Sequence, residues 1–144
     1  MPEESTTPDL VELSRQAFDA ANRHDLDAAM SVFGPDAVWK TAGLGSTYQG
    51  VAAIRGGYEA MIGAFDEFEV EAEEILNLGS GVTFAVIRLS GRPVGSSGHG
   101  GHVQMRYASV GVWVQARIVR QMSYLDIDEA RAAAERLAEE RGDG

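Results

Sequence analysis

Apolar positions along the chain change period several times, and each change marks an element. Leu10, Leu13, Ala17, Phe18 and Ala21 recur at helical spacing behind Asp9, which with Glu12 has the spacing of a capping box. This helix is expected to end near Asn22-Arg23-His24, where His24 meets the helix dipole favourably. Leu26, Ala29, Met30 and Phe33 stand at i, i+3, i+4 and i+7 of a second, short helix that Asp25 opens and Gly34-Pro35 stops. Residues 37–42 read as a short strand, and Gly43-Leu44-Gly45-Ser46 as a loop. Val51, Ile54, Tyr58, Met61, Ile62 and Phe65 form one face of a third helix spanning residues 51–65.

From Phe68 to Glu73 the period falls to two, with apolar residues on one side and carboxylates on the other, as in a strand with one wet face. The phase slips after Glu73, so Glu74 falls on the apolar side unless a bulge intervenes. Gly79-Ser80-Gly81 turns the chain into a strand over residues 82–89 that is apolar on both faces. The segment 91–101, GRPVGSSGHGG, reads as a flexible loop. Residues 103–114 then form a long strand, turning at Gln115-Ala116 into a last alternating strand. Asp126 and Glu129 repeat the capping-box spacing ahead of a C-terminal helix. The expected fold is α+β: a cone-shaped, curved antiparallel sheet wrapped around three N-terminal helices, plus the C-terminal helix. Residues 1–8 read as a disordered tail before a single domain over 9–141.

Composition narrows the function classes. A formal charge of −10 opposes nucleic acid, whose binding rests on neutralising phosphates, and opposes anionic membrane surfaces. No apolar run approaches the ~20 residues of a membrane span, and no secretory signal is visible at the N-terminus. The absence of cysteine removes disulfides, thiol catalysis and thiolate metal sites, and fits a cytoplasmic protein. No glycine pattern matches a phosphate loop or dinucleotide fingerprint.

Several segments, in this order, carry a resemblance: Phe33 to Trp39 (FGPDAVW), Gly50 to Ile54 (GVAAI), Gly91-Arg92 with Gly95-Ser96, Met105-Arg106-Tyr107-Ala108, and Ile118-Val119-Arg120 ahead of Tyr124-Leu125-Asp126. Over residues 9–141 the chain resembles the SnoaL-like proteins of the nuclear transport factor 2 superfamily. The resemblance implies a cone with a pocket for a small apolar or aromatic ligand. It also implies cofactor-free acid/base chemistry, of the lyase, isomerase or cyclase kind, on a polyketide-like or steroid-like substrate. By the same analogy the partner is a second copy, docked through the outer face of the long strands. In look-alike limonene epoxide hydrolases and some cyclases a catalytic Asp precedes the Tyr of the last strand. That position is Ser123 here, and the Trp of the same motif is Gln121. The Arg and Asp those hydrolases need are matched most nearly by Val86 and Arg88. In ketosteroid isomerases the base corresponds to Thr41, the oxyanion Asp falls near Ser109, and the first-helix Tyr near Ala17. The family hosts non-catalytic binders too, so an interaction module with a packed cone stands as the alternative.

Candidate pocket residues follow from the strand faces. Gln121 and Ser123 share a face with Val119, and turned inward they would hydrogen-bond a ligand carbonyl or hydroxyl. Trp39, Thr41 and Tyr58 are candidates for the space between helix and sheet. Tyr107, Ser109 and Trp113 share one face of the penultimate strand. Arg88 would hold an anionic group if buried, but counting back from the turn pairs it with Glu71 on the surface. Glu74 is the candidate base: a bulge near Glu73 would turn it inward, where an apolar pocket would raise its pKa. His99 and His102 lack a third ligand, so no metal site is expected.

Overall fold

The computed structural model describes residues 9–41, 45–94 and 103–143. The expected tail, residues 43 and 44 of the first loop, and the pair His99 and His102 lie outside them. In chain order the elements are α1 (Leu10–Asn22), α2 (Leu26–Met30), β1 (Phe33–Thr41), β2 (Ser46–Gln49), α3 (Val51–Gly63), β3 (Phe65–Gly79), β4 (Val82–Pro93), β5 (Val103–Val114), β6 (Arg117–Tyr124) and α4 (Ile127–Asp143). Asp9, Asp25 and Asp126 cap α1, α2 and α4, each accepting from the backbone N–H three residues on, at 3.1, 3.1 and 3.0 Å. These bonds satisfy amides that a helix start otherwise leaves without partners.

The six strands form one open, curved sheet in the order β2-β1-β6-β5-β4-β3. Helices α1 to α3 pack into its concave side, burying Leu10, Ala20, Met30, Ile54 and Ile62 against Phe33, Trp39, Val70 and Ile87. The α+β cone is therefore the fold, with one difference in its sheet: β1 and β6 run parallel, so the sheet is mixed.

The first strand starts earlier than the pattern suggests. Phe33 opens β1 rather than closing α2, because Ile118 donates its N–H to the Val32 carbonyl at 2.7 Å and draws the chain into the ladder. Gly34 and Pro35 fall where the β1–β6 register shifts between Phe33 and Val38, an irregularity that tolerates a residue with no N–H. At its other end β1 pairs with β2, a strand of Ser, Thr, Tyr and Gln that no apolar alternation announces. Helix α3 ends at Gly63, and Phe65 belongs to β3.

Two bulges set which side chains enter the cone. In β3, Ala72 opposes Ile87 and Glu74 opposes Val86, leaving Glu73 as the extra residue. In β6, Val112 opposes Arg120 while Trp113 opposes Ile118, leaving Val119 as the extra residue. Val119 is exposed as a result, and Ile118 takes the place beside Gln121 that the plain alternation would give Val119.

Strand β4 is apolar on both faces because both are covered. Ala85, Ile87 and Leu89 face the cone, while Val82, Phe84 and Val86 join Ala108 and Val110 beneath Ala130 and Ala134 of α4. The outer face expected to carry a second copy is thus occupied, over its apolar part, by the chain's own C-terminal helix. Beside it the face carries ion pairs, Arg88 with Glu71 and Glu73, and Arg106 with Glu73 at 2.9 Å.

Candidate functional site

The ladder register arranges the inward side chains of the sheet in rows. One row runs Thr41, Ser123, Ser109, Ala85 across β1, β6, β5 and β4. The next, nearer the closed end of the cone, runs Trp39, Gln121, Gly111, Thr83. Two short polar rows inside an apolar wall are what the last strand contributes once its bulge has set the phase.

The space these rows enclose is divided in two. The inner chamber, about 60 Å³, lies under α1 and α3 and is walled by Phe18, Phe33, Phe68, Val70 and Ile87, with Ser14, Tyr58, Thr83, Tyr107, Ser109 and Gln121 as its polar side chains. The outer chamber, about 360 Å³, opens to solvent between Tyr48, Phe65, Leu89, Met105, Tyr124 and Leu125. Trp39, Met61 and Tyr107 line both. At the closed end, Ala17 and Val32 separate the inner chamber from a polar groove that includes Gln16, Asp19, Arg23 and Ser31.

Trp39 is held on three sides. Its ring stacks on Tyr48 at 5.0 Å between centroids and meets Tyr58 edge-on at the same distance. Its indole N–H donates to Ser123 Oγ at 2.9 Å. Gly57 of α3 makes this possible, since a Cβ there would stand 3.0 Å from the Tyr48 ring and 3.1 Å from Trp39. Tyr58 accepts a hydrogen bond from Gln121 Nε2 at 3.3 Å. Thr83 Oγ1 accepts from Trp113 Nε1 at 2.9 Å, in space kept open by Gly111, whose added Cβ would lie 2.8 Å from that oxygen. Tyr107 and Ser109, the latter only 9% exposed, have hydroxyls with no hydrogen-bond partner among the described residues.

No Asp, Glu, His, Lys or Arg of the described residues lines either chamber. Burial pushes the phenols of Tyr58 and Tyr107 above their ordinary range, and at Tyr107 the neighbouring Tyr58 adds to the effect. Both stay neutral donors wherever the protein is folded near neutrality. Among the described residues no group of three or more His, Asp or Glu side chains could hold a metal ion.

Of the residues singled out in the sequence, Trp39, Tyr58, Tyr107, Ser109, Gln121, Thr41 and Ser123 line one or both chambers. Trp113 is packed in the core behind Thr83 and lines neither. Arg88 lies on the outer face in its pair with Glu71, as the register count implies, so it cannot hold an anion in the cone. Glu74 is also outside. The bulge at Glu73 has the opposite consequence to the inward turn expected of it: Glu73 and Glu74 both face outward, and Ile75 points in. Glu74 there accepts from Arg131 of α4 at 2.9 Å, and the Arg131 guanidinium lies 4.6 Å from the centre of the Phe84 ring. Thr83, Tyr48, Phe65 and Tyr124 were not singled out. Tyr48 sits on the unannounced β2, and Thr83 looks like any β-branched strand residue until Trp113 bonds to it.

Comparison with known proteins places this architecture. The family model for the SnoaL-like domain matches residues 14–121. No curated protein matches the chain. Among solved structures, an NTF2-like protein of unknown function from Burkholderia pseudomallei K96243 is 17% identical, with 89% of this chain and 98% of that one covered at a TM-score of 0.70. SalBIII, described as an epoxide hydrolase/cyclase-like enzyme in pyran ring formation in polyether salinomycin, is 16% identical, covering 80% and 88% of the two chains at a TM-score of 0.69. TerC, co-crystallised with polyporic acid, is 14% identical, covering 88% and 98% at a TM-score of 0.67. At these identities the likeness is one of fold.

Proposed function

The chain belongs to the SnoaL-like family, and from that premise we propose that it binds a neutral, mostly apolar small molecule inside the cone, without a cofactor. The observation that carries this reading is the two-chambered cavity, in which the hydroxyls of buried Ser109 and half-buried Tyr107 have no hydrogen-bond partner among the described residues. A buried hydroxyl without a partner forgoes the hydrogen bond it would make in water, a cost of about 1–3 kcal/mol. A ligand that supplies the bond recovers it, which favours occupancy.

The polyketide-like or steroid-like substrates suggested by the resemblance fit an apolar outer chamber of this size. Chemistry on them would be carbonyl polarisation by neutral donors, leading to ring closure or isomerisation, with the proton acceptor provided by the substrate itself. The lining of the described chambers supports this restriction, since it offers no carboxylate or imidazole to act as a base. The alternative, an interaction module with a packed cone, requires Trp39, Tyr58 and Trp113 to fill the space. Instead Trp39 and Tyr58 border an open cavity, and Trp113 stands behind it.

The test is a thermal-shift screen with aromatic polyketides, steroids, terpenoid epoxides and fatty acids. A ligand present at about 100 times its dissociation constant stabilises the fold by about 2.7 kcal/mol. Neutral polycyclic compounds should raise Tm and fatty-acid carboxylates should not. A flat response to every class would abandon the pocket reading in favour of the interaction module.

A further inference from the structure

Outside the cone, at its closed end, the polar groove between α1, α2 and the β5–β6 turn has a volume of about 330 Å³. That is the lower end of the range for small-molecule sites, about 300–1,000 Å³. Its apolar lining comes from Leu13, Ala17, Ala28, Val32 and Ala116. The ligand proposed for the cone leaves this space unused.

The polar groups of the groove carry both signs of charge, and they are not spent on one another. Asp19 and the C-cap residue Arg23 stand four apart on α1, in the spacing and order of a helical ion pair. Yet neither side chain has an ion-pair or hydrogen-bond partner among the described residues. Asp19 also lies in the last turn of α1, where the helix dipole works against a carboxylate. Gln16 gives an N–H to Glu12 at 3.3 Å, and Ser31 gives its proton to the Ala28 carbonyl at 2.6 Å. The Gln16 carbonyl and the Ser31 oxygen are thereby left as acceptors. The groove thus offers one planar cation with its donors unused, and three acceptors, one of them charged.

A simple anion drawn to Arg23 would also meet Asp19 and the net charge of −10, and a simple cation would leave Arg23 without a partner. A zwitterion satisfies both groups at once. We infer that the groove is a second binding site, for a small α-amino acid. Its carboxylate lies against the Arg23 guanidinium, whose parallel N–H donors match it. Its ammonium, with three protons, is met by Asp19, the Gln16 carbonyl and the Ser31 oxygen. Leu13, Val32 and Ala116 receive an aliphatic side chain. This site lies beyond the cone ligand and does not depend on it.

Three probes of one shape test this on the full chain: L-alanine, isobutyrate, in which a methyl replaces the ammonium, and isopropylamine, in which a methyl replaces the carboxylate. Binding is read by NMR titration of the isotope-labelled protein, at the Ala28 and Ala116 signals and the Arg23 side-chain N–H. L-Alanine should move all three and bind at least about tenfold more tightly than either isostere. Arg23→Gln should cost alanine about tenfold and leave isopropylamine unchanged. Asp19→Asn should cost alanine about as much and leave isobutyrate no weaker. Both positions are exposed, so both variants should fold like the parent. Signals unmoved by millimolar alanine, isosteres that bind as well as alanine, or variants that bind alanine like the parent would overturn the inference. The cone reading is decided by its own screen in every case.

Discussion

Ser123 and Tyr107 show how one position changes the chemistry of a cone. Where look-alike hydrolases carry a carboxylate, Ser123 instead accepts from Trp39 and fixes its ring. Tyr107 stays a phenol, and its raised pKa has a measurable consequence. In the unfolded chain both Tyr107 and Tyr58 titrate near 10. Above that pH the unfolded state gives up protons that the folded state retains, so stability falls as pH rises. The contribution is present in full below about pH 10 and is lost as pH climbs toward the folded values. Tyr107→Phe removes one of the two shifted phenols. Urea denaturation between about pH 9 and about pH 11.5 should show the variant losing stability less steeply than the parent. Parallel curves would mean that the Tyr107 phenol ionises freely in the folded chain.

At the level of elements, the long edge strand β3 depends on one side chain from α1. Asn22 donates its Nδ2 to the Val70 carbonyl and accepts the Val70 N–H at Oδ1, both at 2.7 Å. It substitutes for a neighbouring strand at the point where the helix crosses the sheet edge, and so blunts an edge that would otherwise be open to pairing. Asn22→Ala should destabilise the fold by about 1–3 kcal/mol, measured by chemical denaturation, and speed hydrogen exchange at the Val70 amide. Nothing in the sequence around Asn22 announces this, because its partner is far along the chain and is backbone. The same limit explains what else could be read. The helical stripes short of Phe33 and Phe65, the three Asp caps and the turn at Gln115-Ala116 are local, and they are where the pattern puts them. Strand β2 has no apolar period to detect. The bulges at Glu73 and Val119 each shift the phase by one residue, which decides whether Glu74 and Val119 point in or out, and only cross-strand register fixes that. The polar face of Gln121 and Ser123 was legible as a face; its inward direction required the fold.

Over the whole molecule, charge and polarity are separated. The excess of carboxylates that gives the net charge of −10 is kept off the chamber linings of the described residues, and Arg88, Arg106 and Arg131 spend their charge on Glu71, Glu73 and Glu74. Helix α4 completes this arrangement by covering the outer apolar patch of Val82, Phe84, Val86 and Val110. Truncation after Leu125 would leave that patch bare. The shortened chain should self-associate in sedimentation velocity while the full chain does not do so through this face. A truncated chain that remained monomeric and equally stable would show that α4 is dispensable. The wall that the two chambers share has a different kind of consequence, one of compliance rather than affinity. Met61 is its unbranched, pliable member, and Trp39 its pinned one. Any remodelling of the cavity around an occupant would therefore fall on the thioether and leave the indole where it stands.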